Sequence, residues 1–200
     1  MMIFANKKAG PLSILGALLL ITTLGLAAAP VMAKPGSGSP PCHLPGPPGD
    51  KLPGHCGDPV VERQLEALRK ATTPFYSFDV ALAAGWDLQM SGCVESPAGG
   101  MGYHYGNVDQ LAQAGNLSLF RPEALLYMPL EDGSMEFVAV EYIVAGDDWP
   151  HAEPPEFLGQ HLHYNPILDI WALHVWIARE NPAGIFEDWN PEVHCDFASD

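Results

Sequence analysis

Basic residues are scarce in this chain: 9 Lys and Arg stand against 24 Asp and Glu. Two of the nine, Lys7 and Lys8, lie in the first 33 residues, which hold no acidic residue. Beyond residue 33 the balance is 7 against 24, a net charge of −17 with histidine neutral. A surface of that sign repels phosphate backbones and anionic lipid, so neither nucleic acid nor a membrane surface is an expected partner. Catalytic signatures are missing as well. There is no G-x-S-x-G elbow, no glycine-rich phosphate loop and no C-x-x-C-H haem attachment. No internal repeat is present, and beyond residue 33 no apolar run is long enough to span a bilayer.

Cysteine is limited to four residues, Cys42, Cys56, Cys93 and Cys195. An even count in an exported chain reads first as two disulfides, with three connectivities open. Pairing Cys42 with Cys56 and Cys93 with Cys195 is preferred, because the first two share a separate segment. That segment contains the near-mirror CHLPG…LPGHC, a zinc-ligand set on paper, but its spacing matches no common finger and His43 and His55 read as bystanders. His151 and His194 read as surface residues.

Residues 1–33 predict a signal peptide: a basic start, the apolar core LSILGALLLITTLGLAAA, and Val31-Met32-Ala33 as a small-residue exit, with cleavage expected before Lys34. No cysteine stands at lipoprotein spacing, which predicts a secreted or periplasmic soluble product. Residues 34–59 hold eight prolines and six glycines and predict a linker or arm. Residues 60–200 predict a single globular domain.

Within that domain, VERQLEALRKA predicts an amphipathic helix ending before Pro74, and FYSFDVALAAGW a second short helix. Asp132-Gly133 between ALLYMPL and MEFVAVEYIV predicts a hairpin. EFLGQHLHYNP suggests a short helix leading to an extended piece, LDIWALHVWIA a central strand, and the two Asn-Pro steps of ENPAGIFEDWNPEVHC a bracketed helical turn. Helices first and strands afterwards give an α+β fold: short N-terminal helices followed by an antiparallel β-sheet or partial barrel.

Two stretches carry an oddity. IWALHVWIA (170–178) is apolar except for His174, and FVAVEYIVA (137–145) is built around Glu141. Alternation on a strand places His174 with Ala172, Trp176 and Ala178, and Glu141 with Phe137, Ala139 and Ile143. Neither stretch alternates polar with apolar, so both groups are expected to be buried, where a carboxylate must find a cation, hydrogen bonds or a proton. Arg121 and Arg179 are the simplest rival partners for Glu141. GMGYHYGN adds His104 between Tyr103 and Tyr105, and QHLHY adds His161 and His163 at same-face spacing. Histidines plus one carboxylate inside a small β-structure describe a site for one transition-metal ion: zinc, copper or iron. His104, Glu141 and His174 are the expected ligands, His163 the candidate fourth, and Tyr103 and Tyr105 the groups expected behind them. An open coordination position would make the protein a metal-dependent enzyme. The alternative is a non-enzymatic module that binds a small apolar ligand or a partner protein through an aromatic pocket, lined by some of Trp149, Trp171, Trp176 and Trp189 with Met101 at its edge.

MGYHYGN, RPEALLYMPLEDG…FVAVEYIV and LHVWIARENPAGIFEDWNPEVHC together resemble a family of uncharacterised exported bacterial proteins. The resemblance covers roughly residues 60 to 200 and implies a signal peptide, a single compact domain and a bacterial exported setting. Its matching positions include His104, Glu141, His174, Cys93 and Cys195, whereas QHLHY matches less well. It implies no activity.

Overall fold

The computed structural model describes residues 58–199. The expected signal peptide, nearly all of the Pro/Gly-rich arm and the Cys42–Cys56 pairing lie outside the described residues. Asp58 caps the first helix, α1 (Pro59–Thr72), by accepting a hydrogen bond from Val60 N, with Pro59 at the opening position and Arg69 and Lys70 in the last turn. Val61, Leu65, Leu68 and Thr72 recur at helical spacing and form its buried stripe. A 3-10 turn, Thr73–Tyr76, leads into the short α2 (Phe78–Ala83).

The strands follow in chain order: β1 (Leu88–Gln89), β2 (Val94–Ser96), β3 (Gly99–Gly106), β4 (Ala124–Pro129), β5 (Met135–Ala145), β6 (Glu156–Phe157), β7 (Gln160–His161), β8 (His163–Asn165) and β9 (Ile170–Val175). A four-residue helix, α3 (Val108–Leu111), separates β3 from β4. Seven strands form one antiparallel sheet in the order β1-β3-β4-β5-β9-β8, with β2 also on β3. The α+β expectation holds, and the sheet stays open: it does not close into a barrel. The hairpin falls at Asp132-Gly133 as expected. Gly133 takes φ +81°, and Asp132 Oδ1 accepts from Ser134 N.

Both faces of the sheet are covered. On one, α1 and α2 bring Leu65, Leu68 and Ala81 against Leu125, Tyr127, Tyr142, Leu173 and Val175. On the other, Leu126, Ala139, Ile143, Trp176 and Val193 form a smaller cluster. A bulge in β5 decides which residues share it. Leu126 faces Ala139, but Tyr127 faces Phe137, so Val138 is inserted between them. Strict alternation therefore fails at one point: Phe137 joins the helix-covered face, while Val138 packs with Ala139 and Ile143 on the face of Glu141.

Two further expectations are corrected. The EFLGQHLHY segment contains no helix. Leu158 and Gly159 take φ of +52° and +67° and turn the chain into the β6–β7 hairpin. The Asn-Pro steps also bracket no helical turn. Instead, the two asparagines clamp each other's segments: Asn181 Nδ2 donates to Trp189 O, and Asn190 Nδ2 donates to Glu180 O. Gly100 and Asn190 exchange backbone hydrogen bonds, and the Cys93–Cys195 disulfide ties the same region to β2.

Candidate metal centre

Glu141 and His174 are direct cross-strand partners on β5 and β9, and both are buried, 5% and 3% exposed. His104, on β3, faces Leu126 and approaches them from two strands away. The row through Glu141 explains how it can. Gly106, Ala124, Glu141 and His174 stand in register across four strands, and the two small residues leave the row low beside the carboxylate. Met90 and Leu111 fill the space over Gly106.

His104 Nε2 lies 3.7 Å from Glu141 Oε2, and His174 Nε2 lies 3.5 Å from Glu141 Oε1. The three donor atoms lie within 4.8 Å of one another. These separations are long for hydrogen bonds, and neither ring nitrogen of His174 has a hydrogen-bonding partner although both are buried. Each separation is near the spacing of two donors on one tetrahedral ion, about 3.4 Å for bonds of about 2.1 Å, with the two histidines meeting different oxygens of Glu141. Arg179 is not the counter-charge, because it pairs with Glu136 at 2.8 Å, and among the described residues no Lys or Arg lies within ion-pair distance of Glu141. The buried His104, Glu141 and His174 group can hold a metal ion.

Each histidine is oriented from behind. His104 Nδ1 lies 3.0 Å from Ser91 Oγ, and His174 Nδ1 lies 3.4 Å from Asp188 Oδ1. The Ser91 hydroxyl is hydrogen-bonded to His104 Nδ1; Asp188 stands at ion-pair distance from His174 Nδ1 without a hydrogen bond, and a carboxylate there favours the Nδ1–H tautomer that leaves Nε2 free for a metal. Burial depresses the basicity of His104, Glu141 opposes that, and His174 adds to it, so its pKa is lowered. Burial acts the same way on His174, but the carboxylates of Glu141 and Asp188 outweigh it and its pKa is raised. Burial would raise Asp188 too; its contacts with His163 and His174 prevail and hold it well below the usual carboxylate range.

The remaining expected residues fall elsewhere. His163 is half exposed and lies on Asp188, 3.0 Å away, outside the ligand cluster. His161 is exposed on β7. Tyr103 and Tyr105 do not back the histidine they flank. Alternation turns them from it: Tyr105 packs on Phe78 and Tyr127, while the Tyr103 hydroxyl donates to Ser199 O. Asp188 and Ser91, not the tyrosines, lie beside the Nδ1 atoms of the two histidines. A second buried carboxylate, Glu123 (2% exposed), accepts from Ile143 N, and burial pushes its pKa up to about 7. In the sequence it is marked only by its place next to a strand, after Pro122.

The centre opens on a cavity of about 560 Å³. Its walls are mainly aliphatic and thioether, with Met90, Val94, Met101, Ile143, Leu168 and Ile170, and Trp189 is the sole tryptophan in them. The aromatic pocket expected as the alternative is therefore mostly aliphatic. Trp176 packs in the smaller core cluster with its indole N–H on Glu187 O, and Trp149 donates to Glu153 O.

No protein-family model matches this chain, and no curated protein and no solved structure is significantly similar to it.

Proposed function

We propose that this is an exported bacterial metal-binding protein whose centre takes one transition-metal ion on His104 Nε2, Glu141 and His174 Nε2. The observation that carries the reading is the pair of orphaned nitrogens on His174, buried beside a carboxylate at ligand spacing instead of hydrogen-bond spacing. Two imidazoles and one carboxylate suit zinc, iron or copper. Three protein donors leave a coordination position on the cavity side, the arrangement of a catalytic rather than a structural site, so metal-dependent enzymatic chemistry belongs to the proposal. Export is supported by the basic start, apolar core and small-residue exit of residues 1–33 and by the Cys93–Cys195 disulfide, which suits an oxidising compartment.

Cobalt substitution tests the site. Titrating the metal-free chain with Co2+ should give visible absorption of low-coordinate cobalt with an endpoint near one ion per chain. The endpoint should vanish in His104→Ala and His174→Ala. A titration with no endpoint, or an unchanged one in both variants, contradicts the site.

A further inference from the structure

The walls of the cavity and its floor differ in chemistry. Its titratable lining is one connected chain: Ser91 to His104, His104 to Glu141, Glu141 to His174, and then Asp188 and His163, each step between 3.0 and 3.7 Å. Apart from Tyr164, Asn165 and Trp189, the rest of the lining is aliphatic or thioether. The apolar character continues to the rim. Between β8 and β9 the chain turns through Pro166, Ile167 and Leu168. Asn165 Oδ1 accepts from the backbone N–H groups of both Ile167 and Leu168, which holds this tip in place. Ile167 is 91% and Leu168 63% exposed, and Pro166 and Leu168 also line the cavity. Soluble proteins seldom hold two large aliphatic side chains in water at the mouth of an apolar cavity without an apolar occupant.

The floor sets the other end of that occupant. A divalent ion with Glu141 as the one anionic group among the three donors retains one formal positive charge, and Asp188 stands outside the donor set, 3.0 Å from His163. An anionic oxygen donor completes neutrality in a buried place where an uncompensated charge is expensive.

We infer that the cavity binds a small molecule with an unbranched or compact aliphatic body and one carboxylate-like head, the head on the metal and the body along Met101, Ile143 and Ile170 towards the Leu168 rim. This rests on the metal reading above. The size fits: about 560 Å³ lies within the range of small-molecule sites.

The test uses the full chain loaded with Co2+ and the straight-chain carboxylates from acetate to octanoate, with affinity read by calorimetry. Each methylene moved into the cavity should tighten binding about threefold to fourfold until the cavity is filled. Leu168→Asn should flatten the gain for the longer chains while leaving cobalt uptake and acetate affinity unchanged. Removing the metal should weaken every carboxylate by at least about tenfold, the differential expected when a charged head loses its partner. Affinity independent of chain length in a protein that does take up cobalt overturns the inference and leaves the metal reading standing. Octanoate binding equally well with and without metal overturns the placement of the head. Failure to take up cobalt overturns both.

Discussion

Glu141 and His174 stand opposite each other on neighbouring strands with 3.5 Å between a carboxylate oxygen and a ring nitrogen, yet His174 makes no hydrogen bond at either nitrogen. Two buried polar groups held near one another without bonding are costly in a metal-free domain. A metal ion held between them would offset that cost.

The first prediction follows from that cost. In the metal-free protein, Glu141→Leu removes the charge that balances His174 and should destabilise the domain by about 1–3 kcal/mol. Adding His174→Leu should recover part or all of the loss, because an apolar pair then replaces a buried carboxylate and an unsatisfied imidazole. Urea denaturation of the two single variants and the double variant measures the coupling. Simple additivity would mean that the two side chains do not interact.

Asp188 has a different role, since it touches His174 from the side away from Glu141. Asp188→Asn should leave the three donors in place and weaken metal affinity by about 10- to 100-fold, the usual loss when an outer carboxylate is removed. Competition with a chromophoric chelator reads it. An unchanged dissociation constant would reduce Asp188 to a surface partner of His163.

Glu123 should make stability depend on pH in the opposite sense to an ion-paired carboxylate. Its folded pKa, about 7, lies above the ordinary value of 4.5, so the folded state keeps a proton that the unfolded state gives up across that window. Its contribution to stability therefore falls as pH rises from about 4.5 to about 7 and is level above. Glu123→Gln keeps an acceptor for Ile143 N without the charge. It should match the native chain near pH 4 and exceed it by on the order of 2 kcal/mol at pH 8, in metal-free samples. Equal stability at both pH values would show that Glu123 is ionised without penalty.

Asn190 is fully buried and its side chain ties its own turn to the Glu180 segment: it accepts from Glu192 N and donates to Glu180 O. Asn190→Ala leaves the part-buried Glu180 carbonyl and Glu192 N–H without their partner and should cost about 1–3 kcal/mol by urea denaturation. The same substitution loosens the segment that carries Asp188, so metal affinity should fall with it. A loss of stability below about 0.5 kcal/mol would remove the clamp from the account.

How much of the site could be read from sequence follows from where each residue sits. His104, Glu141 and His174 were visible because each is a lone titratable group among strand-forming apolar residues, a pattern that signals burial without a structure. Their convergence was not visible, since it depends on the strand order β3-β4-β5-β9. Asp188 and Ser91 lie in loops, where in so acidic a chain one more aspartate carries no signal. The tyrosines beside His104 were misjudged because adjacency in sequence is opposition on a strand. Strict alternation misplaced Phe137, as one inserted residue at the Val138 bulge reverses the faces before it. The hairpin and the first helix were legible from local chemistry: Asp132-Gly133 and the apolar spacing of Leu65 and Leu68 within VERQLEALRKA; the Asp58 cap was not, because it falls in the Pro/Gly-rich arm. The β6–β7 turn was not, because it rests on Leu158 adopting a positive φ that leucine rarely takes.

The most direct test is elemental analysis of the untagged, full-length gene product, purified from an exporting bacterial host without added metal and compared with His174→Ala prepared in parallel. Near one equivalent of zinc, iron or copper per chain in the native protein, and none of it in the variant, is the result expected of a His104–Glu141–His174 centre. Metal absent from both after incubation with salts of all three elements, or present equally in both, would contradict it.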